Sequence, residues 1–150
     1  MKEIRVYGIP KPGGSKKAFI NRFTGRANVV EDCKKNKDWR ESVKAAWIEK
    51  YNISPMIAGP ISLLVTFIMP RPKAHYNSRW VIKEWALSEE ATKKPDLTKL
   101  LRSTEDALTK IAWHDDAQII RQSINKRYED GVDKPGAIIS VIEIEWDEEE

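Results

Sequence analysis

One cysteine, Cys33, occurs in 150 residues. A single thiol excludes a disulfide framework and a cysteine cluster with zinc-ligand spacing, so a reducing compartment is expected. Long apolar runs are also missing. The longest, Ile61 to Met69, is far too short to span a bilayer, and the opening Met-Lys-Glu-Ile-Arg has no apolar run behind it. These absences argue against secretion and membrane insertion and lead us to expect a cytoplasmic protein. The sequence has no internal repeats, and its length suits one domain that buries roughly two-thirds of its unfolded surface.

A hydrophobic fraction of 41% and six tryptophans (39, 47, 80, 85, 113 and 146) can fill one core, while 33% of the residues are charged. The net charge of +3 conceals a division. Residues 1 to 127 carry 25 Lys/Arg against 14 Asp/Glu, and residues 128 to 150 carry one against nine. The body is therefore basic and the C-terminal tail acidic. Such a body suits a polyanion, because Lys and Arg that neutralise phosphates release condensed counterions. A merely solvated basic surface has the same composition.

Pattern and punctuation predict the elements. Ile4 to Ile9 reads as a first strand, ended by Pro10 and Lys11-Pro-Gly-Gly14. Ala18 to Ile20 and Ala27 to Val30 flank a turn at Thr24-Gly25 and predict a hairpin crowded by Lys16, Lys17, Arg22 and Arg26. Cations interleaved with Phe19 and Phe23 suit phosphates and bases, although such rings more often pack in a core. Asn36 to Tyr51 predicts a helix, Ile61 to Met69 a buried strand, and residues 70 to 95 a long, partly mobile loop, basic at both ends. Leu97 to Ile111 predicts the clearest helix: Leu97, Leu100, Leu101, Thr104, Leu108 and Ile111 share one face, with Asp96 at the N-cap. Ala117 to Tyr128 and Ala137 to Trp146 read as two strands joined around Asp130-Gly131.

Chemistry concentrates between residues 94 and 118. A carboxylate, Asp96, opens the helix; Arg102 lies on its polar face; Asp115-Asp116 follows its end. Hard cations take oxygen ligands, and Mg²⁺ commonly uses one or two carboxylates plus a substrate phosphate. From spacing alone, a helix cap, a solvated face and a polar turn explain these residues more often than a metal site does.

The string Lys94-Pro-Asp-Leu-Thr-Lys-Leu-Leu-Arg-Ser-Thr-Glu-Asp-Ala-Leu-Thr-Lys-Ile-Ala-Trp-His-Asp-Asp-Ala-Gln118 resembles the RusA family of Holliday-junction resolvases, as does Pro70-Arg-Pro-Lys-Ala-His75 more weakly. The resemblance implies a Mg²⁺-dependent endonuclease, with Mn²⁺ as an alternative metal, that nicks four-way DNA junctions as a homodimer, often from a phage or prophage. It puts Asp96 and Asp116 in the place of metal-binding aspartates, with Asp115 and Thr98 as further candidates, and Arg102 in that of a catalytic lysine. Lys16, Lys17, Arg22, Arg26, Arg71, Lys73 and Lys99 are the candidates for phosphate contacts. Thr98 departs from the family, which carries a second aspartate there. A hydroxyl is a poor Mg²⁺ ligand, so a non-catalytic junction-binding protein is the rival reading, and a scaffold with a docking tail a third. Glu105 and Asp106 lie about 14 to 15 Å along the helix from Asp96 and cannot stand in.

The fold expected is α/β or α+β: a mixed sheet of five or six strands with two main helices on one face. A helix from 97 to 111 would be about 22 Å long. The five residues to Asp116 reach about 17 Å when extended, barely enough to fold back, so Asp116 is expected to meet Asp96 of the other subunit.

Overall fold

Ile61–Met69 forms the inner strand around which the molecule is built. In the computed structural model, which describes residues 1–13, 16–20, 27–31, 36–53 and 55–145 (backbone alone for 16–20, 27–31 and 36), eight strands and helices follow in order. They are β1 (Lys2–Tyr7), β2 (Lys16–Ile20), β3 (Ala27–Glu31), α1 (Asn36–Tyr51), β4 (Ile61–Met69), α2 (Leu97–Leu108), β5 (Ile119–Tyr128) and β6 (Gly136–Glu143). β4 is β-branched and apolar because neighbours flank it on both sides: β6 antiparallel, with Val65 opposite Ile139, and β5 parallel, with Val65 opposite Ile124. The order is β1-β6-β4-β5, which leaves β5 at an edge.

Among the described residues the sheet therefore has four strands, not five or six. β2 and β3 pair with each other as a separate two-stranded hairpin, Ala18 opposite Val29. Alternation counts strands, but a hairpin satisfies its ladder locally and needs no edge of the main sheet. The turn expected at Thr24-Gly25 lies outside the described residues. β1 stops at Tyr7 rather than Ile9, since Gly8 takes φ +126° and breaks the extended run.

The two helices were legible from their periodicity. Trp39, Val43 and Trp47 of α1 are buried, as are Leu100, Leu101, Thr104 and Leu108 of α2. These side chains share one core with Ile4, Val6, Leu63, Val65, Phe67 and Ile139 of the sheet. A buried hydrogen bond from Trp39 Nε1 to Thr104 Oγ1, 3.3 Å, ties the helices together.

α2 is shorter than the apolar pattern implies, ending at Leu108 instead of Ile111. Thr109 turns extended, Lys110 adopts φ +70°, and the amides of Ile111 and Ala112 both return to the Leu108 carbonyl. The cause is Trp113. It is fully buried, donates to Thr109 Oγ1 at 3.2 Å, and accepts from Lys110 N through its carbonyl at 2.6 Å. Burying so large a side chain outweighs one more helical turn. β5 then starts at Ile119, two residues later than expected, because Asp116–Gln118 forms a 3₁₀ turn. β6 ends at Glu143, and Trp146 lies outside the described residues.

Residues 70–95 hold structure that their weak periodicity hides. Two 3₁₀ turns, Lys73–His75 and Glu84–Ser88, flank an isolated bridge between Tyr76 and Ile82. Arg71 binds the segment to the sheet, donating from Nε to the Glu129 carbonyl at 2.6 Å and from Nη1 to the Ala86 carbonyl at 2.5 Å. Buried His75 lies edge-on to Trp85 and Tyr128. Among the described residues, no helix is long and apolar enough to cross a membrane.

Candidate functional site

Where α2 begins, three stretches of chain converge. The N-terminal segment reaches across the helix: Gly13 N donates to the Lys99 carbonyl at 2.8 Å. A Cβ at Gly13 would meet Arg102 Cγ and Ser103 N at 3.4 Å, so the segment lies in close contact with the helix here. Residues 69–72 come from the end of β4, and residues 91–96 lead into α2. Together with Tyr128 they enclose a cavity of about 600 Å³.

The charges on its wall are unequal. Among the described residues, Lys11, Arg71, Lys93, Lys94 and Lys99 line it with one carboxylate, Asp96. Asp96 stands at the N-cap of α2, but its side chain makes no capping hydrogen bond. It lies 3.9 Å from Lys99 Nζ, an exposed contact of little stabilising value. The carboxylate thus stands at the positive end of the helix dipole among cations. Such a wall attracts a phosphate, and the acid within it can take a hard cation.

The remaining candidates are distributed more widely. Arg71 and Lys99 line the cavity with Asp96, but Lys73 is exposed in its 3₁₀ turn and is not part of the lining. Arg102 and Thr98 are exposed on α2 and do not line the cavity either; Arg102 packs its stem against Gly13 at the margin. Lys16 and Lys17 lie on β2, whose side chains are not described, and Arg22 and Arg26 lie outside the described residues.

Asp115 and Asp116 stand elsewhere. Asp115 caps the 3₁₀ turn, its Oδ1 accepting from Ala117 N at 2.9 Å, while Gln118 Oε1 accepts from the amide of Asp115. The Ala117 amide, together with a hydrogen bond to Asp116, holds the Asp115 carboxyl below the usual carboxylate range. Asp116 lies near enough to Glu105, on the second half of α2, for its charge to act on that carboxyl. Burial, then the charges of Asp116 and Asp106, pushes the Glu105 carboxyl up to about 7, although Gln122 on β5 hydrogen-bonds to it.

These contacts order the two elements. Gln122 meets Glu105, and four residues further along β5 Lys126 meets the carbonyls of Lys93 and Pro95, just before α2. α2 and β5 thus run in opposite directions. Asp116, preceding β5, is separated from Lys126 and the Asp96 end by about 23 Å of strand, at 3.3 Å per residue. Among the described residues, no three His, Cys, Asp or Glu side chains gather as ligands of one metal.

Sequence reasoning named Asp96, Arg71 and Lys99 but passed over Lys11, Lys93 and Lys94 as site residues. The signal was available in Lys93-Lys94-Pro95, a pair of cations directly before a helix start. Nothing local marked Lys126 or the approach of Glu105 to Asp116, since both depend on how β5 lies against α2.

With that geometry in view, two comparisons bear on the chain. The family model described as Endodeoxyribonuclease RusA matches residues 11–142. A Bacillus subtilis (strain 168) protein described as "Uncharacterized protein YqaN" is 28% identical over 130 residues, covering 84% of this chain and 87% of its own length.

Proposed function

The chain belongs to the RusA endodeoxyribonuclease family, and from that premise we propose that it is a Mg²⁺-dependent endonuclease resolving four-way DNA junctions by paired nicks near the crossover. The observation that carries this reading is the uncapped Asp96 carboxylate in a cavity lined by five cations. The lysines and Arg71 draw the DNA backbone in and neutralise it. Asp96, with Asp116 of the partner subunit, would hold Mg²⁺ against the scissile phosphate; when bound, the ion lowers the pKa of a water and offsets phosphate charge. Arg102, exposed on α2 with its stem beside Gly13, would offset the charge that develops on the phosphate oxygens.

A two-fold dimer matches a junction that presents two equivalent strands. It also provides what one chain lacks, because α2 and β5 hold Asp96 and Asp116 apart. The rival reading, a junction-binding protein without cleavage, draws on exposed Thr98, which by the resemblance stands where the family carries a second acid. The experiment is cleavage of a synthetic four-way junction, with and without Mg²⁺, by the wild type and Asp96→Asn. The expected outcome is symmetric nicks that need both Mg²⁺ and Asp96, with junction binding retained in the variant. Binding by both proteins without nicks would establish the rival reading.

A further inference from the structure

Lys126 is a cation pointing at backbone rather than at a carboxylate. It lies near the end of β5, at the sheet edge that α2 covers, and period-two alternation puts it on the same face as Gln122 and Tyr128. Gln122 reaches Glu105 on the helix, and Tyr128 lines the cavity. Lys126 lies between these contacts, part-buried. Its ammonium donates to the Lys93 carbonyl at 2.8 Å and to the Pro95 carbonyl at 2.9 Å.

Those two carbonyls enclose the short run that delivers Asp96. The Pro95 carbonyl belongs to the same peptide unit as the Asp96 amide, so gripping it fixes the plane from which the Asp96 Cα projects. The Lys93 carbonyl fixes the other end of the run. The Asp96 carboxylate itself makes no cap bond, and its ion pair with Lys99 is long and exposed. Proline at 95 has no amide hydrogen with which to secure the run to a neighbour. Charge-assisted hydrogen bonds from an ammonium are among the stronger ones available for the purpose.

We propose that Lys126 is a positioning residue for Asp96: its ammonium clasps the carbonyls of Lys93 and Pro95 and thereby sets where the carboxylate stands in the basic cavity. The inference rests on the reading of Asp96 as a metal-binding residue. It assigns Lys126 no contact with DNA or metal.

The test compares Lys126→Met, Lys126→Arg and Asp96→Asn with the wild type on a synthetic four-way junction. Single-turnover rate at saturating protein, Mg²⁺ concentration for half-maximal rate, and junction Kd are measured, together with backbone amide NMR shifts in metal-free protein. Lys126→Met is expected to cut the rate roughly 10- to 100-fold, the scale of a misplaced reacting group, and to raise the Mg²⁺ requirement. Its Kd should stay within about threefold, since a positioning role leaves the lining cations in place. The amide shifts of Asp96 and Leu97 should move, whereas those of β1 and β6 should not. Lys126→Arg, which keeps charged donors, should recover most of the rate.

A Met variant with wild-type rate, Mg²⁺ requirement and Asp96 shifts would overturn the proposal. So would an equal loss in the Met and Arg variants. If Lys126→Met does not fold, Lys126→Gln is judged by the same criteria. Cleavage that survives Asp96→Asn would instead remove the reading of Asp96, a separate outcome from failure of the clasp.

Discussion

Asp96 and Asp115 are both carboxylates at the N-cap of a helical turn, yet only Asp115 is used as a cap. A cap bond satisfies an orphan amide, so Asp115 has a structural role, whereas the Asp96 carboxylate makes no such bond. Glu105 illustrates a different effect of environment. Its carboxyl is pushed up to about 7 from 4.5, chiefly by burial and then by Asp116 and Asp106. Here the folded state binds the proton more tightly than the unfolded chain does. Stability conferred by protonated Glu105 is full below the unfolded value and is lost as pH rises from about 4.5 through 7. Glu105→Gln, which cannot ionise, should therefore raise the melting temperature over wild type more at pH 8 than at pH 5. A gain that is equal at the two pH values would remove Glu105 as the cause. Of the site, the sequence made Asp96 legible because a helix start has a local signature. Lys126 and the Glu105-Asp116 approach were not legible, because they depend on the register of β5 against α2.

Among the elements, α2 and β4 were read nearly to their ends, since 3.6-residue and β-branched patterns survive wherever one face meets the core. The end of α2 was misjudged because Trp113, beyond the helix, pulls the chain inward. Strand partners were less legible than strands: β6 enters between β1 and β4, and no local pattern encodes that placement. One glycine discloses the tightness of this arrangement. Gly136 opens β6 opposite Tyr7 with φ +154°, and a Cβ there would fall 1.9 Å from the Val6 carbonyl oxygen. Gly136→Ala should cost at least about 1–3 kcal/mol, the scale of a strained backbone conformation, with the clash in addition. Urea unfolding measures it; a loss below roughly 0.5 kcal/mol would mean that the β1–β6 junction yields easily.

At the scale of the whole molecule, the basic cavity and the Asp115-Asp116 turn occupy opposite ends of the layer formed by α2 and β5. The proposed two-chain site would bring Asp96 of one chain and Asp116 of its partner together despite that separation. The measurement that tests it most directly uses a mixed dimer carrying Asp96→Asn in one chain and Asp116→Asn in the other, on a four-way junction with Mg²⁺. With sites shared between chains, one site collects both substitutions and the other is intact. Single-strand nicks are then expected, although each mutant homodimer cuts nothing. Sites complete within one chain would leave both broken, so a verified heterodimer that produces no nicks, beside a wild-type/double-mutant dimer that does nick, would contradict the account.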